Sequence, residues 1–281
     1  MLHEIAPHTF SNEYVECVDL TPDASSVLLV ENEGRFLCCI DNGELRLPTV
    51  EDIPPKNLLY LVSIDKIRFY YYHSEEIDIF NHFLDDGFAW ICPREIRYAV
   101  PAWLRFGTLV GMQLVQWYRH NHYCGKCGRV NEIGTTERSL TCPGCHSVVY
   151  PRINPCVIVG VKNNDKLLLT KYAGNAAYSK FALVAGFCEI GESAEQTVVR
   201  EVKEETGLSV KNIRYYKSQP WPFSSSLLFG YFCDVEGDTQ PHADGTELSV
   251  AQWVSKEEIP LYENEISLTY EMMDAFRRGP V

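Results

Sequence analysis

The stretch GFCEIGESAEQTVVREVKEETGL, Gly186 to Leu208, decides how the C-terminal half of the chain folds and what it can hold. Ser193 with Gln196 three residues on forms an S-x-x-Q capping box, and Gly207 followed by Leu208 is a helix C-cap signature. The spacing therefore predicts a helix from about Ala194 to Thr206. Ala194, Val198 and Val202 recur at intervals of four and supply its buried stripe. Glu201, Glu204 and Glu205 follow the i, i+3, i+4 rule and share one face beside that stripe.

A solvated acidic surface is the ordinary reading of such a face, and two features argue against it. Acidic residues near a helix C-terminus oppose the macrodipole, so something else must compensate their charge. Divalent, oxygen-seeking cations such as Mg²⁺ or Mn²⁺ would do so, since they prefer carboxylates and keep bound waters. The approach to the helix, VAGFCEIGE, also carries Gly186 and Gly191, which allow a tight loop with backbone close to whatever the carboxylates hold.

Outward from this segment, alternating apolar runs predict strands at CVIVGV, LLLTKY, FALVAGF, NIRYYKS, SLLFGYFCDV and VAQWVS, with a last helix from about Leu268 to Arg277. Strands interleaved with helices give a layered α/β domain. Further upstream, the runs SSVLLV, RFLCCI, NLLYLVSI and KIRFYYYH between about residues 13 and 72 predict a small β-rich domain. Helices are expected at EEIDIFNHFLDDG and PAWLRFGTLVGMQLVQWYRH, with Pro101 suited to a first helical turn. The fold class expected is α+β in three parts: an N-terminal β-rich domain ending in a helix (1–120), a four-cysteine ribbon (121–150) and a C-terminal α/β domain (151–281).

The ribbon rests on CGKC and CPGC, which place Cys124, Cys127, Cys142 and Cys145 in a C-x2-C, fourteen-residue gap, C-x2-C pattern close to a zinc template. Two such knuckles complete a tetrahedron of soft ligands with no open position for water, which points to structural Zn²⁺. A nucleic-acid-reading ribbon is the alternative, with Lys126, Arg129 and Arg138 nearby. The other seven cysteines (Cys17, Cys38, Cys39, Cys92, Cys156, Cys188 and Cys233) sit mostly among apolar neighbours and read as small core residues.

The formal net charge of -13 disfavours diffuse attraction to nucleic acid or an anionic membrane. An acidic chain that handles a phosphate compound needs cations. No apolar run is long enough to span a bilayer and the start lacks a signal-peptide pattern, so a cytoplasmic protein without membrane partners is expected.

The Gly186–Leu208 stretch resembles the Nudix box, G-x5-E-x7-R-E-U-x-E-E-x-G-U. Gly186, Glu192, Arg200, Glu201, Val202, Glu204, Glu205, Gly207 and Leu208 fill its defined positions. The resemblance implies an α/β/α sandwich with a mixed sheet and metal-dependent hydrolysis of a nucleoside diphosphate linked to another group. SQPWPFSSS, Ser218 to Ser226, is similar to the SQPWPFPxS signature of the NADH pyrophosphatase branch, with Ser224 in place of a proline. Its prolines stiffen the segment, and Trp221 and Phe223 offer flat surfaces for a base or pyridine ring.

The four-cysteine ribbon, Thr136–Glu137, YPRINPCVIV and ELSVAQW agree with that branch, and the likeness covers roughly residues 103–281. It implies metal ligation by the Ala185 carbonyl and by Glu201, Glu205 and Glu247, with Glu204 near the cluster and Glu205 orienting or deprotonating the attacking water. It also implies substrate contacts from Glu137, Tyr150, Phe187, Gln219, Pro220, Trp221, Pro222, Phe223, Ser224, Ser225, Ser226 and Thr269, the last standing where the pattern often has alanine. Arg200 would orient the helix carboxylates; a surface pair with Glu204 is the plainer reading.

The expected reaction is cleavage of NADH or NAD to nicotinamide mononucleotide and AMP, extending to removal of a 5′-NAD cap from RNA, by a homodimer. The alternatives are another diphosphate substrate such as ADP-ribose, or a non-catalytic nucleotide sensor.

Overall fold

In the computed structural model the described residues are 1–14, 21–53, 56–73, 80–174, 180–279 and 281. They form two compact units, one of residues 3–152 and one of residues 1–2 with 153–281.

The N-terminal unit is built on β1 (Phe10–Ser11), β2 (Val27–Asn32), β3 (Arg35–Asp41), β4 (Glu44–Arg46), β5 (Leu58–Ile64), β6 (Ile67–Tyr72) and β7 (Ala89–Ile91). They form a sheet in the order β1-β5-β6-β2-β3-β4, with β7 on β3. The pairing is antiparallel except between β2 and β6, which run parallel. The short helix α1 (Asn81–Asp85) covers part of the expected EEIDIFNHFLDDG helix, of which 75–79 lie outside the described residues. Helix α2 (Ala102–His120) starts one residue after Pro101, which is its N-cap rather than its first turn. The residues after α2 add β8 (Glu132–Ile133), β9 (Leu140–Thr141) and β10 (Val148–Val149), a small antiparallel sheet that carries the cysteine knuckles within this same unit.

The C-terminal unit holds β11 (Asn154–Asn163), β12 (Lys166–Tyr172), β13 (Val184–Phe187), helix α3 (Ala194–Thr206), β14 (Ser209–Trp221), β15 (Ser226–Glu236), β16 (Leu248–Ser255) and helix α4 (Leu268–Arg278). The sheet order is β14-β15-β11-β12-β16, with β13 paired to β11. It is mixed: β11 and β15 run parallel and the other pairs antiparallel.

Successive residues of a strand face opposite sides, and the two sides bury different sets. Val157, Val159 and Val161 join Tyr231, Cys233, Val198 and Val202 under α3. Cys156, Ile158, Leu228 and Phe232 join Leu268, Met272 and Phe276 under α4. A helix on each face makes the α/β/α sandwich that the resemblance implied.

The strand expected at NIRYYKS is longer than its apolar pattern suggested. β14 runs on through Ser218, Gln219, Pro220 and Trp221, paired with β15 from Phe229 down to Ser226. Proline has no N–H for a ladder, but β14 is an edge strand, where that loss is tolerated. Of the seven cysteines read as core residues, Cys38, Cys39, Cys156 and Cys233 are buried and Cys92 and Cys188 are half-buried; Cys17 lies outside the described residues. No helix among the described residues is long and apolar enough to cross a membrane.

Candidate active site

Helix α3 is set by its two caps. The Gln196 amide donates to Ser193 Oγ at 3.2 Å and the Ser193 amide donates to Gln196 Oε1 at 2.8 Å, closing the reciprocal box. Gly207 ends the helix at φ 73°, and Lys203 Nζ donates to its carbonyl, placing a cation at the negative end of the dipole. Val198 and Val202 are fully buried against the sheet, which fixes the rotation of the helix and hence the directions of its glutamates.

Those glutamates are not equivalent. Glu205 is 4 % exposed, Glu201 is half-buried and Glu204 is exposed. Glu205 Oε2 is buried with no hydrogen-bond partner among the described residues. Burial first, then the charges of Glu201, Glu247 and Asp244, push the Glu205 carboxyl up to about 8. Glu201 is raised by burial as well, with Arg200 opposing the shift. A buried carboxylate oxygen without a donor is a ligand that a hard divalent cation can use, but among the described residues the group of three or more such ligand side chains found within 4.8 Å of one another is that of the four cysteines, not Glu201, Glu205 and Glu247.

Arg200 organises the rest of the face. Its Nε and Nη2 donate to the two oxygens of Glu192 at 2.7 and 2.9 Å, its Nη1 to Glu201 at 2.8 Å and Glu204 at 3.1 Å, and Nη2 also reaches the Phe187 carbonyl at 3.0 Å. The bidentate pair holds Glu192 down to about 2. The plain surface pair with Glu204 is thus one contact among several, and Arg200 ties the loop after β13 to the helix. Glu192 fills a defined position of the box, but its pairing with Arg200 was not read from the sequence, because it lies before the Ser193 N-cap, where helical spacing does not apply.

The loop itself supports the helix face. Ala185 and Gly186 lie in β13, paired with Ile158 and Val157 of β11. A side chain at Gly186 would come within 2.0 Å of the Glu201 carboxylate carbon and would push that carboxylate aside, whereas at Gly191 a φ of 95° strains any other residue. Phe187 is 51 % exposed, free to present a ring face.

Glu247 lies just before β16, close enough for its charge to act on Glu201 and Glu205. Its amide donates to both oxygens of Asp244, the Leu248 amide donates to Asp244 Oδ1 at 2.8 Å, and the Asp244 amide donates to the Glu205 carbonyl at 3.2 Å. Asp244 was missed in the sequence; the Asp-Gly pair at 244–245, a turn signal three residues before Glu247, was the clue.

The SQPWPFSSS segment divides by burial. Trp221 and Phe223 are half-buried with ring centroids 4.8 Å apart and planes at 59°. Pro222 to Ser224 form a 3-10 turn with Pro222 buried, and Ser225 follows at φ 51°. Ser224 Oγ lies 2.8 Å from Ser226 Oγ, and the Ser224 carbonyl accepts from Asn154 Nδ2, so the serine that replaces proline is held by side-chain bonds instead. Pro220 is half-buried and Gln219 fully buried; Thr269 stands half-buried in the first turn of α4. Glu137 and Tyr150 belong to the N-terminal unit, where Tyr150 Oη donates to Glu137 at 2.8 Å.

In that unit Cys124, Cys127, Cys142 and Cys145 bring all four sulfurs within 4.8 Å of one another, a set that can hold a metal ion. Amide donors from Cys145 and Gly144 lower the Cys142 thiol to about 6, which favours the thiolate that a metal binds. Four converging cysteine sulfurs fit a closed zinc site.

Residues 152–276 match the NUDIX domain profile. The mixed sheet, the two flanking helices and the Glu-rich α3 all lie within or at the edge of that range, so the C-terminal unit is similar to a NUDIX domain. The chain is 39% identical over 151 residues to the NAD-capped RNA hydrolase NudC of Photorhabdus laumondii, an overlap of 54% of this chain and 58% of the relative. It is 40% identical over 162 residues to the protein of that name from Vibrio atlanticus, covering 56% and 59% of the two chains. The matched stretch thus spans a little over half the length of these curated relatives. Among solved structures it is similar to a NUDIX hydrolase from Nitrosomonas europaea, at 24% identity and a TM-score of 0.48 over 56% of this chain and 90% of that one.

Proposed function

We propose that this protein is a metal-dependent Nudix pyrophosphohydrolase that cleaves the pyrophosphate bond of NAD(H), and that it removes a 5′-NAD cap from RNA by the same reaction. The observation that carries the reading is the buried, partnerless Glu205 Oε2 beside Glu201. The names of the relatives supply the substrate class.

Glu201, Glu205 and Glu247, with the Ala185 carbonyl, are the ligands proposed for Mg²⁺ or Mn²⁺. Such an ion, when bound, neutralises the pyrophosphate and lowers the pKa of water. Glu205 orients the attacking water and takes its proton. The water oxygen bonds to one phosphorus while the bridging oxygen leaves with the other phosphate, giving nicotinamide mononucleotide and AMP. Glu204, exposed and bound by Arg200, acts at the edge of the cluster. Phe187, Trp221 and Phe223 are the aromatic side chains proposed to flank the rings of a dinucleotide, with the hydroxyl and backbone groups of the Pro222–Ser226 turn at its polar edges. The protein is proposed to work as a homodimer.

Initial rates on NADH, NAD, ADP-ribose, diadenosine diphosphate and 5′-NAD-RNA, with Mg²⁺ or Mn²⁺, test this reading. NADH or NAD-RNA should be cleaved fastest. An equal or greater rate on ADP-ribose would overturn the substrate assignment.

A further inference from the structure

Gln219 is the one polar side chain of the SQPWPFSSS segment with no exposed surface at all. Its carboxamide is occupied at both ends. Nε2 donates to the Ile266 carbonyl at 2.8 Å, and Oε1 accepts from the Leu268 amide at 2.7 Å. These two backbone groups flank Ser267, the N-cap of α4, whose own side chain makes no capping bond. Leu268 N–H belongs to the first turn of that helix and would otherwise be a buried donor without an acceptor. Gln219 therefore caps α4 from a distant strand.

The same node gathers the chain start. The Ile266 carbonyl also accepts from the Leu2 amide at 2.8 Å, so both of its lone pairs are used and Met1–Leu2 is drawn into the C-terminal unit. Packing reinforces the tie. Gln219 lies opposite Leu228 on β15, and Leu228 shares an apolar cluster with Leu268 and Met272. At Gly230 a side chain would meet Met272 Sδ at 2.7 Å, so α4 sits directly on β15.

We propose that Gln219 is a positioning residue: its buried carboxamide locks the end of β14, and with it the Trp221–Ser226 turn, to the start of α4 that carries Thr269. A fully buried side chain with both functional atoms engaged inside the protein does not reach a ligand; it fixes the spacing of two elements that do. The inference rests on the reading of that turn and Thr269 as substrate contacts, and it makes their relative placement depend on a single amide. A misplacement of a binding wall raises KM before it alters the chemistry.

Amide hydrogen exchange at Leu268, measured on the full chain alongside steady-state kinetics on NADH, tests this. In the unsubstituted protein the Leu268 amide should be protected like the interior of α4. In Gln219→Leu its exchange should quicken about tenfold or more, and KM should rise with kcat held within about threefold. Gln219→Glu, which keeps an acceptor for Leu268, should retain most of that protection. Free exchange at Leu268 in the unsubstituted protein would overturn the proposal. So would a folded Gln219→Leu protein whose KM rises while Leu268 protection is unchanged, because Gln219 would then touch substrate directly. The exchange readout needs no substrate, so it decides the tie even if NADH proves not to be cleaved.

Discussion

The Cα of Gly186 lies against the carboxylate of Glu201, so close that a methyl group there would stand 2.0 Å from Glu201 Cδ. The loop backbone and the helix carboxylate are thus one assembly, held together on the other side by Arg200. Gly186→Ala should displace Glu201 by about an ångström, and such shifts cost about 100-fold in rate. Steady-state kinetics and Mn²⁺ titration should show kcat/KM and metal affinity falling together, with the circular dichroism of the fold unchanged.

Arg200 donates to three carboxylates and a carbonyl, and its removal leaves Glu192 and half-buried Glu201 without their cation. Arg200→Ala should lower stability by about 1.5–3 kcal/mol, the range for hydrogen bonds to charged groups. Arg200→Lys should recover little of it, because an ammonium cannot reproduce the forked pair with Glu192. Urea denaturation of the three proteins checks both statements.

The metal-free protein should carry a pH signature of Glu205. Its carboxyl is raised from 4.5 to about 8 by burial, then by Glu201, Glu247 and Asp244. Between those values the folded state holds a proton that the unfolded chain has released. The contribution is fully present below the unfolded value and is lost as pH rises through the folded one. In buffer without Mg²⁺ or Mn²⁺ the thermal midpoint should therefore fall as pH rises from 6 to 8.5, and Glu205→Gln should flatten that slope. Mn²⁺ must displace the same proton, so its affinity should strengthen over this range in the unsubstituted protein.

The sulfurs of the four-cysteine group are close enough to share a single ion. Cys142→Ser should abolish stoichiometric zinc by elemental analysis and destabilise residues 3–152 towards proteolysis, because a structural zinc contributes directly to folding. Retention of zinc and protease resistance would contradict the closed-site reading.

Much of this was legible before any coordinates, for physical reasons particular to each part. The Ser193–Gln196 box, Gly207 and the Val198–Val202 stripe are local codes, and α3 occupies Ala194–Thr206, the range they predict. The cysteine knuckles are likewise read from spacing alone. Gln219 was expected, from the resemblance, to contact substrate; its tie to α4 was not legible. Its burial depends on β14 continuing as an edge strand past Pro220 and on α4 returning over β15, and both are tertiary facts. Asp244, and the pairing of Glu192 with Arg200, depend on loops outside the helix and strands, where periodic spacing does not apply.

The most direct measurement is product analysis after incubating NADH with Mg²⁺ or Mn²⁺ and either the unsubstituted protein or Glu205→Gln. The unsubstituted protein should give nicotinamide mononucleotide and AMP, with the rate reduced by about 100-fold or more in the variant. Undiminished hydrolysis by Glu205→Gln, or no cleavage by the unsubstituted protein, would contradict it.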